Sequence, residues 1–307
     1  MVKSTLLAAI VVVALLALGA VTAAPTGAEP LAKPKPLFPV TVAAANGRVT
    51  IPRRPTRIVS LSPTATENLF AIGAGRQVVA VDEFSTYPAR APRTKLSGFQ
   101  PNAEAIASYR PDLVVVHSDG GIVDQLEALR IRVIHNPAAA NLQHAYRGIQ
   151  LLGTATGHPG AAANVVRTMK SRIGAAVTSA KRSGSARLAV YHELTTDYYS
   201  ASSSTFIGQV YRLFGLRNIA DAAADAGSGY PKLSAEHIIA SNPDLIVLAD
   251  SRCCGQSYAT VAARPGWNTI KAVRNRRVVR ADDDVASRWG PRIVSFVRAV
   301  ATALRGR

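Results

Sequence analysis

The sequence predicts an α/β fold of two similar lobes with mainly parallel sheets, joined by a single long α-helix. The main observation is a repeat. Residues 102–106 (Asn-Ala-Glu-Ala-Ile) lead to the block 110–116, and residues 234–238 (Ser-Ala-Glu-His-Ile) lead to 242–248, with Pro-Asp-Leu at the same place in both blocks. Each copy predicts a cap residue, a short helix ending before a proline, and a buried strand. Alternating helices and strands favour parallel sheets.

The predicted first strands of the two lobes support the same plan. Residues 57–61 and 187–191 are apolar runs, each followed by a polar loop and a helix. In the first lobe, Ser62 is expected to cap a helix that begins at Pro63 and stops at Gly73. Two Rossmann-like lobes are therefore predicted.

The connection between the lobes is predicted to be one amphipathic helix. Residues 161–182 contain no proline, and Val166, Met169, Ile173 and Val177 recur at three- and four-residue steps. At 1.5 Å per residue such a helix would span roughly 33 Å. We expect a stiff connector that permits only small lobe movements; the alternative is an ordinary surface helix within a single domain.

The first residues are typical of a secretory signal peptide. Lys3 precedes an apolar run over residues 6–20 and small residues up to Ala23. The run is shorter than the roughly 20 residues that cross a bilayer, which favours a cleaved signal over a retained anchor. We expect an exported protein, periplasmic, envelope-associated or secreted, with no cysteine for lipid attachment at the mature N-terminus.

A proline-rich segment with few large apolar residues follows and predicts an extended tether. The predicted organisation is a signal peptide (1–23), a Pro-rich tether (24–54), an N-terminal ligand-binding lobe (55–158), a linking helix (159–183) and a C-terminal ligand-binding lobe (184–307).

The net charge of +17, from 36 Lys and Arg against 19 Asp and Glu, raises the question of nucleic-acid binding. The basic residues are scattered, with one short cluster at 274–277, and an export signal separates the protein from nucleic acid. We therefore expect no nucleic-acid partner, and weak attraction to an anionic envelope or ligand stays open.

Signatures of common enzymes are missing from the chain. It contains no Gly-x-Ser-x-Gly elbow, phosphate-binding Gly-x-x-x-x-Gly-Lys loop or His-Glu-x-x-His helix. His117, Ser118 and Asp119 could be drawn into a hydrolytic triad, but triads are recognised by geometry. Cys253 and Cys254 are adjacent, which would strain a bridge between them, so their redox state stays open. We expect a binding protein and not an enzyme.

The chain resembles the iron-siderophore and cobalamin family of periplasmic-type binding proteins over most of residues 55–304. The resemblance rests on segments 57–67, 86–88, 206–208, 218–221, 265–267, 282–284 and 287–292, together with the two repeat blocks. It implies a monomeric, exported component of an ABC importer that captures a metal chelate between its lobes and delivers it to the membrane permease.

The resemblance also implies which residues contact the ligand. A corrinoid or chelate is large and partly flat, so aromatic faces can bury much of it. The ligand-binding candidates are Tyr87, Phe99, His117, Tyr199, Tyr230, Asp284 and Arg288. Each has an ordinary alternative: Tyr87 could fasten a turn, Phe99 could lie in the core, and Arg288 could pair with Asp284. Trp267 is expected to be a packing residue.

The family docks onto its permease through one acid per lobe, which implies that role for Glu104 and Glu236. Each lies two residues after its helix cap. The alternative is local, because an acid in the first helical turn is stabilised by about 0.3–1 kcal/mol without any partner.

The ligand itself stays open among several chelates. Residues 282–284 and 287–288 favour cobalamin, with a ferric siderophore next, and no intrinsic cofactor or bound metal is expected. A haem receptor using His117 or a tyrosine is an alternative. A zinc or manganese receptor is another, although the six histidines are scattered.

Overall fold

The computed structural model describes residues 37–182, 184 and 187–306. It contains one parallel sheet in each lobe and a long helix between them, which confirms the predicted fold class. The predicted signal peptide and the first part of the predicted tether, residues 24–36, lie outside the described residues.

The predicted tether is wrong over its second half, because residues 40–51 form an antiparallel hairpin of β1 (Val40–Ala44) and β2 (Gly47–Ile51). Val42 and Ile51 are buried against the core, and this burial stabilises the hairpin. The prolines around the segment had favoured an extended tether instead. Asn46 in the turn donates to the carbonyl of Val133 (3.1 Å) and accepts from the amide of His135 (3.0 Å). The hairpin is thereby joined to the N-terminal lobe.

The N-terminal lobe is a five-stranded parallel sheet covered by four helices. Its strands are β3 (Ile58–Leu61), β4 (Val78–Asp82), β5 (Arg93–Leu96), β6 (Leu113–Val116) and β7 (Val133–His135). Its helices are α1 (Pro63–Ala71), α2 (Ala103–Ala107), α3 (Ile122–Ala128) and α4 (Leu142–Thr156). The strand order is β5-β4-β3-β6-β7. Ser62 caps α1 by accepting from the amide of Ala65 (3.2 Å), as predicted.

The linking helix α5 (Pro159–Arg182) leads to a four-stranded parallel sheet in the order β11-β10-β8-β9. The strands of that lobe are β8 (Ala189–Glu193), β9 (Arg217–Asn218), β10 (Leu245–Leu248) and β11 (Val278–Arg280). Its helices are α6 (Phe206–Leu213), α7 (Ala235–Ser241), α8 (Tyr258–Ala262), α9 (Lys271–Arg274), α10 (Asp283–Ser287) and α11 (Ile293–Arg305).

The repeated Asp of the two Pro-Asp-Leu blocks has the same structural role in both lobes. Asp112 accepts from the amides of Thr56 (2.8 Å) and Arg57 (3.0 Å), immediately before β3. Asp244 accepts from the amide of Ala189 (2.8 Å), at the start of β8. Each carboxylate thus joins the strand that follows it to the first strand of its own sheet, which explains why the residue recurs.

Helix α5 packs against both lobes along its length. Its apolar stripe, with Val166, Met169 and Ile173 buried, contacts α4 on one side and α11 on the other. The buried side chains of β3, α1 and α4 in one lobe and of α6 and α11 in the other belong to one continuous apolar cluster. The lobes therefore share a core, and α5 is part of it.

An ion-pair network also joins the lobes. Glu67 on α1 is 3% exposed and accepts from Arg288 (3.0 Å) and from two nitrogens of Arg292 (3.0 and 2.6 Å), which belong to the other lobe. Arg288 also donates to the carbonyl of Phe84 (3.1 Å) and pairs with Asp284 (2.8 Å). One buried carboxylate therefore holds two guanidinium groups from the opposite lobe.

We predict that Glu67→Gln lowers the free energy of unfolding by about 3 kcal/mol, because breaking a buried ion pair leaves its partners uncompensated. The expected loss is at the lower end of the usual range since both guanidiniums keep some access to water. Urea denaturation measures it. The matched control is Glu83→Gln, an exposed carboxylate in the same lobe, which should change stability by less than about 0.5 kcal/mol. Equal effects in the two variants would contradict the network's role.

Candidate functional site

The loops at the carboxyl ends of the parallel strands bring residues of both lobes together, as expected for ligand sites in open α/β sheets. A cavity of about 370 Å³ lies there, lined from the N-terminal lobe by residues 138–140 and from the C-terminal lobe by residues that include Phe206, Tyr230 and Trp289. Thr86, after β4, lies 3.4 Å from the carboxylate of Asp284. The interlobe cleft is therefore formed by loops of both lobes.

Three aromatic side chains form a cluster on the N-terminal lobe. Phe99 is 73% exposed and lies edge-on to Phe84 (ring centroids 5.5 Å apart) and to His117 (6.0 Å). The Nδ1 atom of His117 is 3.2 Å from the carbonyl oxygen of Leu61, which orients the ring. Phe99 is thus not a core residue. Phe84 was missed, although the apolar run at residues 78–81, which forms β4 shortly before it, could have identified it.

Two tyrosines lie on paired segments of the C-terminal lobe. Tyr199 forms an antiparallel bridge with Lys232, whose ammonium group lies 5.7 Å from the tyrosine ring centroid. The amide of Ser200 donates to the carbonyl of Pro231, which holds Tyr230 beside this pairing. Tyr199 and Tyr230 are 42% and 51% exposed. Large aromatic surface therefore remains open to solvent in both lobes.

Tyr87 lies apart from Tyr230, next to the interlobe ion pairs. The guanidinium carbon of Arg292 is 4.3 Å from the centroid of the Tyr87 ring. Tyr87 lines a second cavity, of about 290 Å³, together with Arg90 and Arg172. A ligand that contacts Tyr87 would therefore approach the charged network directly.

Asp284 and Arg288 are paired with each other in this structure, and Arg288 is only 11% exposed. All acceptors of its guanidinium lie within the protein, on Glu67, Phe84 and Asp284. Asp82, at the end of β4, lies near Arg288 and was not among the predicted site residues. It is 1% exposed, and burial raises the pKa of its carboxyl group.

Glu104 and Glu236 occupy equivalent positions in the two lobes. Each is exposed and is the second residue of its helix, behind the cap Asn102 or Ser234. Backbone and Ser234 hydrogen bonds lower the pKa of Glu236. Both side chains are therefore accessible to a partner.

Cys253 and Cys254 form a disulfide in the exposed loop after β10, with their Cα atoms 3.8 Å apart. Asp283 accepts from the amides of Arg252 (3.1 Å) and Cys253 (2.8 Å). The loop is thereby joined to the start of α10, which carries Asp284.

The described residues form neither a metal-binding cluster nor a membrane-spanning helix. Over residues 37–182, 184 and 187–306 no group of three His, Cys, Asp or Glu side chains could hold a metal ion. Within the same ranges no helix is both long and apolar enough to cross a bilayer.

The periplasmic binding protein family matches residues 58–285 of this chain. A Bacillus subtilis (strain 168) protein, the uncharacterized ABC transporter substrate-binding lipoprotein YvrC, is 33% identical over 87% of this chain and 86% of its own length. The chain belongs to the periplasmic binding protein family. It is a substrate-binding protein of an ABC transporter, which confirms that it is not an enzyme, that it acts outside the cytoplasm and that its partner is a permease.

Two further comparisons agree with the family. A cobalamin-binding protein of Halobacterium salinarum (strain ATCC 29341 / DSM 671 / R1) is 33% identical over 87% of this chain and 74% of its own length. The crystal structure of the periplasmic vitamin B12 binding protein BtuF of Vibrio cholerae has a TM-score of 0.66 at 23% identity. That match covers 82% of this chain and 97% of the solved one.

A buried acidic pair lies at the carboxyl ends of β8 and β10 in this binding protein. Glu193 is fully buried and accepts two 2.6 Å hydrogen bonds from Arg264, whose guanidinium lies 4.5 Å from the Trp267 ring centroid. Asp250 is also fully buried, and neither oxygen of its carboxyl group has a hydrogen-bond partner among the described residues. Burial, followed by the charge of Glu193, raises the pKa of Asp250 to about 7. Trp267 is 1% exposed, in keeping with a packing role.

We predict that Asp250 makes stability depend on pH between about 4 and 7. In that window the folded protein holds a proton that unfolded Asp, with a pKa of about 3.9, has lost, so the free energy of unfolding falls as pH rises. Asp250→Asn should remove this fall and be the more stable protein above pH 7, by up to about 4 kcal/mol. Urea denaturation across this pH range measures it.

The matched control is Asp225→Asn, which removes the same charge from an exposed position and should keep the wild-type pH dependence. Parallel stability curves for Asp250→Asn and the wild type would show that Asp250 ionises normally.

Proposed function

We propose that this protein captures cobalamin, or a ferric siderophore of similar size, between its lobes and delivers it to the permease. The observation that carries the proposal is exposed aromatic surface on both lobes, from Phe84 and Phe99 on one lobe and Tyr199 and Tyr230 on the other. Water-exposed rings facing a cleft can bury a large, partly flat ligand. The cobalamin-binding relative at 33% identity supports cobalamin first.

The polar residues at the cleft would orient the chelate. Asp284 keeps part of its carboxylate exposed, and His117 lies next to Phe99. The guanidinium group of Arg288 already donates hydrogen bonds to three acceptors within the protein. Arg288 could therefore contact a ligand only if it gave up one of these hydrogen bonds. We propose that Tyr87 contacts the ligand at the end of the cleft where Arg292 stacks on its ring.

A haem receptor is the second candidate. Histidine and tyrosine side chains ligate haem iron in other proteins, and this chain has His117 and the cleft tyrosines available for that role.

Export is part of the proposal: the N-terminal segment directs secretion, and cleavage after Ala23 releases a mature chain without a lipid anchor. The protein would then bind its chelate as a monomer outside the membrane and pass it to the permease.

We predict that Phe99→Ala and Tyr230→Ala each weaken binding of cyanocobalamin by about 1–3 kcal/mol, the usual loss when a well-buried aromatic contact is removed. Isothermal titration calorimetry measures it. Leu129→Ala is the matched control, since Leu129 is 50% exposed and lies at the end of α3, outside the cleft cavity.

Parallel titrations with ferric hydroxamates and haem identify the ligand if cyanocobalamin does not bind. Wild-type affinity in both cleft variants, for whichever chelate binds, would show that the ligand occupies another surface.

We predict that reversing Glu104 and Glu236 to Lys together abolishes chelate uptake by cells. Like charges would then face the arginines expected on the permease, and such juxtaposition costs several kcal/mol at an interface. Ligand affinity of the isolated variant should be unchanged, which separates docking from capture. The control reverses the exposed acids Asp124 and Asp225, one in each lobe. Normal uptake by the Glu104 and Glu236 variant would remove them from the docking surface.

A further inference from the structure

The two helices that pack along each other at the junction of the lobes contain no acidic residue. Helix α5 carries five basic residues and α11 two, with no Asp or Glu in either. The acid-free stretches of the chain are longer still, covering residues 128–192 and 285–307. Seven basic residues without an acidic neighbour on the same helix, part of the net charge of +17, therefore lie on these two packed helices.

Arginines of this junction line one surface in succession. Arg172 and Arg298 together line the cavity beside Tyr87 and an adjoining cavity of about 340 Å³ that reaches Arg305. Arg298 also lines a third cavity, of about 580 Å³, next to Arg276 and Arg277. We call the surface formed by Arg172, Arg276, Arg277, Arg298 and Arg305 the basic seam.

The charges of the basic seam are not neutralised within the described residues. In that part of the chain neither Arg172 nor Arg298 forms an ion pair or a hydrogen bond. Arg305 donates only to the hydroxyls of Ser179 and Thr302. Glu67, the acid nearest in the shared cavity, is already bound by Arg288 and Arg292. The seam therefore presents full positive charges to a partner.

The seam lies on a different side of the sheets from the proposed docking acids. Helices α5 and α11 pack into the apolar cluster shared by the lobes. The helix of Glu104 packs on the opposite face of the first sheet through Ile106, and that of Glu236 on the opposite face of the second through Ile238. Contact through the seam is consequently distinct from docking through Glu104 and Glu236.

We propose that the basic seam binds the anionic phosphate surface of a lipid membrane. Guanidinium groups form charge-assisted, bidentate hydrogen bonds with phosphate, and the five arginines of the seam, on α5, on α11 and in the turn before β11, can contact several headgroups together. A membrane is the partner favoured over a soluble polyanion because the permease of this transporter lies in one. Weak adsorption would keep the binding protein close to the permease while leaving it free to exchange.

The test compares vesicles of equal parts phosphatidylglycerol and phosphatidylcholine with vesicles of phosphatidylcholine alone, in a co-sedimentation assay. All three proteins carry the full chain, so any contribution of the N-terminal segment is the same in each. The seam variant carries Arg172→Gln, Arg298→Gln and Arg305→Gln. The control variant carries Arg93→Gln, Arg130→Gln and Arg217→Gln, which removes equal charge from exposed positions outside the seam.

Wild-type protein should prefer the anionic vesicles. In the seam variant, the ratio of binding to anionic over neutral vesicles should fall at least about tenfold. Each basic residue near an anionic surface raises the affinity several-fold. The control variant should lose at most about threefold, and high salt should remove the preference in all three proteins. Unchanged unfolding by urea would show that the substitutions act on adsorption and not on folding.

Three results would overturn the proposal. Equal losses in the seam and control variants would mean that net charge, and not the seam, is responsible. No preference of the wild type for anionic vesicles would exclude membrane binding. Binding of inorganic polyphosphate without binding of vesicles would identify a soluble polyanion as the partner instead. None of these results depends on which chelate the cleft binds.

Discussion

Packing of α5 between the lobes is the constraint on which the remaining structure depends. The helix buries one apolar stripe against α4 and α11, so both lobes complete their cores on the same element. A helix without an internal proline has no cause to bend sharply, and Gly174 alone does not make a hinge. The Glu67 network adds a polar connection to this shared core. Movement of the lobes is therefore expected to be small, and the cleft is largely formed before a ligand arrives.

A preformed cleft accounts for the exposed aromatic surface. Phe99 and Tyr230 cannot both turn into a core without moving the loops that carry them, since hydrogen bonds at the ends of the strands hold those loops. Rings that stay exposed to water contribute little burial free energy to folding, so that free energy would be available to a ligand that covers them. The same geometry places Asp284 and Arg288 in a paired state, so the charged residues of the cleft also position the lobes.

Charge is segregated among three regions of the molecule. Glu104 and Glu236 are exposed at the starts of their helices. The buried acids Glu67 and Glu193 are paired with arginines. Arginines without an acidic partner among the described residues lie along the basic seam. The net charge alone shows neither which charged side chains are paired nor where the unpaired ones lie. Burial determines which charges are paired, and the packing of α5 on α11 determines which basic residues become neighbours.

The sequence by itself determined the features that depend on neighbouring residues: the caps at Ser62, Asn102 and Ser234, the apolar stripe of α5, and the duplicated strands. These are encoded within a few residues, because hydrogen bonds at helix ends and side-chain periodicity act locally. Phe99 and Tyr230 became predicted ligand contacts only through resemblance to a family, and the structure shows that both side chains are exposed. Only the tertiary structure decided the contacts between distant segments. Glu67 meets arginines more than two hundred residues away, the hairpin within the predicted tether is stabilised by burial against the lobe, and Asp250 acquires its shifted pKa from enclosure beside Glu193. No local pattern encodes these, since each depends on which surfaces the packed core brings together.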